Sequence, residues 1–189
     1  MAMPAQHTEW TVEMVRALPD DGNRYEVIDG ELLVTPAPSL VHQRAVVEML
    51  DVVRPYVRVH RIGEALVSPA DVVVYGSRKF VQPDLFVLPL VNGAPVRAWT
   101  EAGRLLLAVE VLSPSTEHAD RGRKRELYKE KAVPEYWIVN VAARTVERQR
   151  PDGSPIEILT DSIQWQPDSD APPLVIDLPA YFDRVLGVA

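Results

Sequence analysis

Two acids break apolar runs in ways that ask for chemistry. Glu110 stands inside Leu105-Leu106-Leu107-Ala108-Val109-Glu110-Val111-Leu112, which is otherwise wholly apolar and reads as a strand covered on both faces. An ionised carboxylate buried there without a partner is strongly unfavourable, so Glu110 is paired, metal-bound or near the open end of its strand. An ordinary ion pair with an arginine is the plainest of these. In Gln82-Pro83-Asp84-Leu85-Phe86-Val87-Leu88 a proline punctuates the entry and Asp84 heads an apolar strand. A Pro-Asp pair alone is a common turn feature. If the two strands are neighbours, however, Asp84 and Glu110 bring two carboxylates to one divalent cation, and hard oxygen ligands suit Mg²⁺ or Mn²⁺. Leu112 shares the face of Glu110, so that strand supplies no cation. Asp120, Lys124 and Tyr128 recur at helical spacing on one stripe, which makes Lys124 the natural positive partner. A surface Asp120–Lys124 pair with Tyr128 packing beside it is the competing account.

The overall charge is −7, which argues against coating nucleic acid through bulk positive charge. Its distribution is uneven. Asp152 to Ala189 holds seven acids against Arg184 alone, whereas Arg121 to Lys131 holds six bases against Glu126 and Glu130. This second segment, with Arg121, Arg123 and Arg125, either meets a phosphate backbone or forms a solvated helix face with internal ion pairs.

The elements that must position these groups are marked by 17 prolines and 9 glycines. Thr11 to Leu18 reads as a short helix. Arg24–Ile28 and Glu31–Thr35 around Asp29-Gly30 read as a hairpin. Ser39 caps a helix running to about Val57, with Pro55 as a bend or end. Short strands follow at Glu64–Val67, Asp71–Tyr75, Asp84–Leu88 and Arg104–Leu112, building the body of a sheet. Thr116–Lys131 reads as a second main helix, Glu135–Asn140, Thr145–Gln149 and Ile156–Leu159 as strands, and Ala180–Leu186 as a last helix. This order implies an α/β (α+β) fold with helices on the faces of a mixed sheet.

With 189 residues, 47% hydrophobic and 25% charged, one domain spanning 1–189 is expected, with a core over about 25–150 and the acidic segment 152–189 packed on or extending it. The absence of cysteine excludes disulfides, thiolate metal sites and thiol nucleophiles. Glycine-rich phosphate loops, the G-x-S-x-G elbow and the H-E-x-x-H zinc motif are all missing. No apolar run is long enough to cross a bilayer, and Met1–Gln6 lacks a basic start followed by an apolar stretch, so a cytoplasmic protein without a membrane partner is expected.

One block is more specific than any of these signals. Glu110-Val111-Leu112-Ser113-Pro114-Ser115-Thr116, then Asp120, Lys124, Tyr128 and Val133-Pro134-Glu135-Tyr136-Trp137-Ile138-Val139, preceded by Tyr25-Glu26-Val27-Ile28-Asp29-Gly30-Glu31, His42 and Gln82-Pro83-Asp84, closely resembles the Uma-type putative restriction endonuclease family of the PD-(D/E)XK nuclease-like superfamily. The resemblance covers roughly Tyr25 to Arg148. It implies a restriction-endonuclease-like mixed sheet flanked by helices, with Asp84 and Glu110 as metal-binding acids and the main-chain carbonyl of Val111 completing the metal shell. Leu112 departs from the superfamily pattern where its lysine would stand, and the resemblance moves that role to Lys124. It also brings Glu31 into the pocket as an extra acid and His42 as a proton-handling or phosphate-contacting group.

The function expected is metal-dependent hydrolysis of phosphodiester bonds in DNA, with Mg²⁺ or Mn²⁺ as cofactor, Arg121, Arg123 and Arg125 meeting the backbone, Asp120 and Tyr128 in support, and a homodimer to span two strands. The alternative is an inactive nuclease-fold module that binds nucleic acid or a protein partner.

Overall fold

A computed structural model describes residues 9–74, 79–98, 101 and 103–188. The short first helix is α1, Val12–Arg16, capped by the Thr11 hydroxyl. Strands β1 (Arg24–Ile28) and β2 (Glu31–Thr35) form the expected hairpin. Asp29 and Gly30 both have positive φ, 49° and 83°, the backbone twist that lets a two-residue turn match its strands. Ser39 Oγ accepts from His42 N and starts α2, Leu40–Val59. The helix continues past Pro55, which is exposed, so the carbonyl it leaves unpaired faces water.

Three strands follow: β3 (Gly63–Val67), β4 (Val72–Val74) and β5 (Lys79–Val81). Tyr75, expected within β4, and Met1–Gln6 lie outside the described residues. Next come β6 (Leu85–Pro89) and β7 (Leu107–Val111). The continuous helix expected over Thr116–Lys131 is instead composite. This α3 joins a helical turn, Glu117–Ala119, a π-turn, Asp120–Lys124, and a helical segment, Arg125–Glu130. In a wider turn, residues four apart nearly eclipse, so Asp120 and Lys124 are both buried. After β8 (Tyr136–Asn140), β9 (Thr145–Gln149) and β10 (Glu157–Leu159), the acidic segment forms β11 (Ser162–Trp165), β12 (Leu174–Asp177) and α4 (Leu178–Leu186). Sequence patterning did not anticipate β5, β11 or β12, each only three or four residues long.

The principal sheet has the order β10-β9-β8-β7-β6-β3. It is mixed: β7 and β8 run parallel, joined through α3, and the other pairs are antiparallel. A second sheet, β2-β1-β5-β4, takes β4 out of the body where patterning had put it. One face of the principal sheet buries Leu85, Val109 and Trp137 against Met49 and Val53 of α2 and Tyr181 and Phe182 of α4. The other buries Phe86, Ala108 and Ile138 against Leu127 and Tyr128 of α3 and Ile28 and Val81 of the second sheet. Helix α1 then covers Val27 and Phe80 on the outside of that second sheet. Among the described residues, no helix is long and apolar enough to cross a membrane.

Candidate active site

Strand alternation decides where the two acids point. Leu85 pairs with Val109 and Phe86 with Ala108, so the register continued by one step sets Asp84 opposite Glu110 at the open end of β6–β7. Directly opposed residues share a face of the sheet. That face is the one covered by α3 and the hairpin. Both acids are buried, as are Glu26, Asp120 and Lys124.

Lys124 is the hub of the inner half. Its Nζ lies 3.0 Å from Glu26 Oε2, 3.0 Å from Glu110 Oε1 and 3.4 Å from Asp120 Oδ1. Tyr128 donates to Glu110 Oε1 at 3.2 Å, and Tyr136 donates to the Asp120 carbonyl at 2.9 Å. Glu26 also accepts the backbone N–H of Gln82 at 2.7 Å, tying the hairpin to the Pro83-Asp84 entry. The helical stripe Asp120–Lys124–Tyr128 is therefore turned inward, and the surface-pair account fails.

Asp84 forms the outer half. Arg24 Nη1 meets its Oδ1 at 2.7 Å, while His42 Nε2 at 3.0 Å and the backbone N–H of Val111 at 2.9 Å meet Oδ2. Beyond it opens a cleft of about 270 Å³ lined by Arg24, His42, Val111, Ser113 and Ser115 among others. A narrower pocket of about 140 Å³ shares Thr35 and Ser115 with it and reaches Glu26 and Lys124.

The two halves differ electrostatically. Burial pushes the Asp84 carboxyl up, but the His42 hydrogen bond and the Arg24 charge outweigh it and bring the pKa down to about 2. For Glu110, burial wins: its pKa is raised well above the ordinary value, with Lys124 opposing and the carboxylates of Asp120, Asp84 and Glu26 adding to the rise. Burial likewise raises Asp120 against the pull of Lys124. Burial would lower Lys124, but the surrounding carboxylates, Glu110 first, raise it well above its usual value, so it stays an ammonium. Acid exceeds base here: three buried carboxylates share one ammonium, which Glu26 Oε2 and Asp120 Oδ1 meet only as ion pairs, at 3.0 and 3.4 Å.

This set fits a divalent cation. A carboxylate offers about four lone-pair positions, and three donors leave one on Asp84. Both donors to Glu110 address Oε1, so Oε2 has no donor among the described residues. No group of three Asp, Glu or His ligands is assembled among the described residues. Mg²⁺ does not need one, since it is commonly held by one or two carboxylates and completes its shell with water and phosphate.

The other expected residues fall elsewhere. Glu31 is exposed, pairs with Arg123, and lines a separate cleft of about 450 Å³ with Lys79 and Glu130. Arg121 bonds Glu147 at 2.7 Å and also Glu117, and Arg125 bonds Glu147 at 2.5 Å. Two residues at the site were missed from the sequence, Arg24 and Glu26. Their signal was the spacing of two that puts both on one face of β1, which a simple hairpin would have turned to solvent.

The family model described as putative restriction endonuclease, Uma2, matches residues 12–179. No curated protein matches the sequence. Among solved structures, the crystal structure of a putative nuclease belonging to DUF820 from Anabaena variabilis ATCC 29413 superposes with a TM-score of 0.74. At 18% identity it covers 93% of this chain and 99% of its own, so the likeness carries the nuclease-type fold across nearly the whole length. A match of that extent to the family model establishes that the chain, with its mixed sheet and opposed acid pair, belongs to the Uma2 family described as putative restriction endonucleases.

Proposed function

We propose that the protein is a metal-dependent endonuclease that hydrolyses phosphodiester bonds in DNA at the Asp84–Glu110 cleft. The observation that supports this best is the opposed acid pair at the end of β6–β7, beside a buried excess of carboxylate. Asp84 and Glu110 are the oxygen ligands for Mg²⁺ or Mn²⁺, with the Val111 carbonyl as a third donor. Such an ion, when bound, lowers the pKa of its water and offsets charge growing on the scissile phosphate. Lys124 is only 1% exposed and ringed by three carboxylates, so it acts by fixing Glu110 rather than by touching substrate. Asp120 and Tyr128 hold that arrangement. His42 is oriented by Asp84 through Nε2, and its Nδ1 is buried without a hydrogen-bond partner.

Calorimetric titration with Mn²⁺ on wild type and Asp84→Ala tests the ion site, and incubation with supercoiled plasmid and Mn²⁺, against Glu110→Gln, tests the chemistry. Heat of binding and nicking in wild type alone are expected. A silent titration with no nicking would favour the inactive module that binds nucleic acid or a protein partner, a reading supported by the hold of Arg24 and His42 on Asp84. Light scattering tests the homodimer.

A further inference from the structure

The three arginines that sequence offers as the phosphate-binding surface are each ion-paired in the fold. Arg121 and Arg125 share Glu147, and Arg123 pairs with Glu31. The cleft beside the acid pair has its own cation. Arg24 reaches it from β1, 19% exposed, and among the described residues Nη1 is its only bonded guanidinium nitrogen, serving Asp84 at 2.7 Å and the Gln82 carbonyl at 3.4 Å. A guanidinium has five N–H donors in a planar fork, so donors remain after Asp84 is met. The same wall holds His42 and the hydroxyl residues Ser113 and Ser115. At about 270 Å³ the cleft lies just below the usual range of small-ligand pockets, a size that suits one phosphodiester unit of a strand.

We propose that Arg24 is the phosphate-contacting residue of this protein, gripping one phosphodiester of a single strand while it holds Asp84 in place. This deepens the nuclease reading and rests on it. Arg24 would then fix both the ion-binding acid and the phosphate that water attacks, and few other cations would contribute to affinity.

The test is fluorescence anisotropy of a labelled single-stranded oligonucleotide between about 50 and about 200 mM salt, with Mn²⁺ present in a Glu110→Gln background. Arg24→Gln is expected to weaken binding about tenfold and to flatten the salt slope by nearly one charge. Arg24→Lys keeps a cation beside Asp84, so it should fold normally, retain the slope and lose only part of the affinity. The Arg121→Gln/Arg123→Gln pair should bind within about twofold of its parent, since those guanidiniums already face carboxylates. The proposal is overturned if Arg24→Gln binds with unchanged affinity and slope, or if the Arg121/Arg123 pair carries the loss. Should wild type nick plasmid while Arg24→Gln binds normally, Arg24 alone is misassigned; should the parent bind no single strand at any salt, the proposal is overturned, and plasmid nicking by wild type decides separately whether the nuclease reading stands.

Discussion

Two buried carboxylate centres, one at the start of β8 and one at the end of β7, are built in opposite ways. Glu135, entering β8, receives Arg148 through Nε at 2.7 Å and Nη2 at 2.5 Å, Arg150 at 3.3 Å, and the Trp137 indole at 2.8 Å. Around Lys124, one ammonium faces Glu26, Glu110 and Asp120. The first surrounds one acid with excess donors; the second sets three acids against one shared ammonium. Donor excess makes a brace for β8, β9 and β10. Acid excess makes a place that a cation can complete.

Removing the single cation should do the most damage. Lys124→Met strands three buried carboxylates, and a loss of roughly 3–5 kcal/mol in chemical denaturation is expected. Glu135→Gln should cost about 2 kcal/mol, less because Arg150 is partly exposed and can turn to water. Asp120→Asn should have the other sign: neutralising an acid whose burial outweighs its 3.4 Å pair with Lys124 stabilises the fold by about 1 kcal/mol at neutral pH. A comparable loss from Asp120→Asn would show that the second cluster is a brace like the first.

The pH dependence sharpens the contrast. Asp120 has a raised folded pKa, so its ionisation weakens the fold as pH climbs above the ordinary aspartate value of 3.8 toward the folded pKa. The stability gap between Asp120→Asn and wild type should therefore widen through that window and close below it. Asp84 behaves in reverse. With its pKa down at about 2, its contribution is present above 3.8 and is lost as pH falls through 2, so Asp84→Asn should close its gap with wild type at the acid end. Denaturant midpoints across the pH range measure both.

Much of this was legible because acids inside apolar runs are conspicuous. Asp84 and Glu110 stood out for that reason, and the stripe through Lys124 pointed to their partner. Glu26 and Arg24 did not, because Arg24–Ile28 has the alternation of a hairpin with one wet face, and only the docking of that hairpin onto α3 and β6 makes the face dry. The π-turn was equally hidden, since Asp120 and Lys124 fit a regular helix as well. Arg121, Arg123 and Arg125 read as a basic surface because their acidic partners, Glu147 and Glu31, are distant in sequence.

The hairpin has a further consequence. Glu110 and Lys124 are 14 residues apart within one strand–helix–strand unit, whereas Arg24 and Asp84 are separated by 60. The inner pair can assemble early through short-range closure, while the outer pair waits for a long loop to close. In a full-length chain refolding from the unfolded state, the cleft is thus the later part to be completed, once its amino-terminal ribbon has settled.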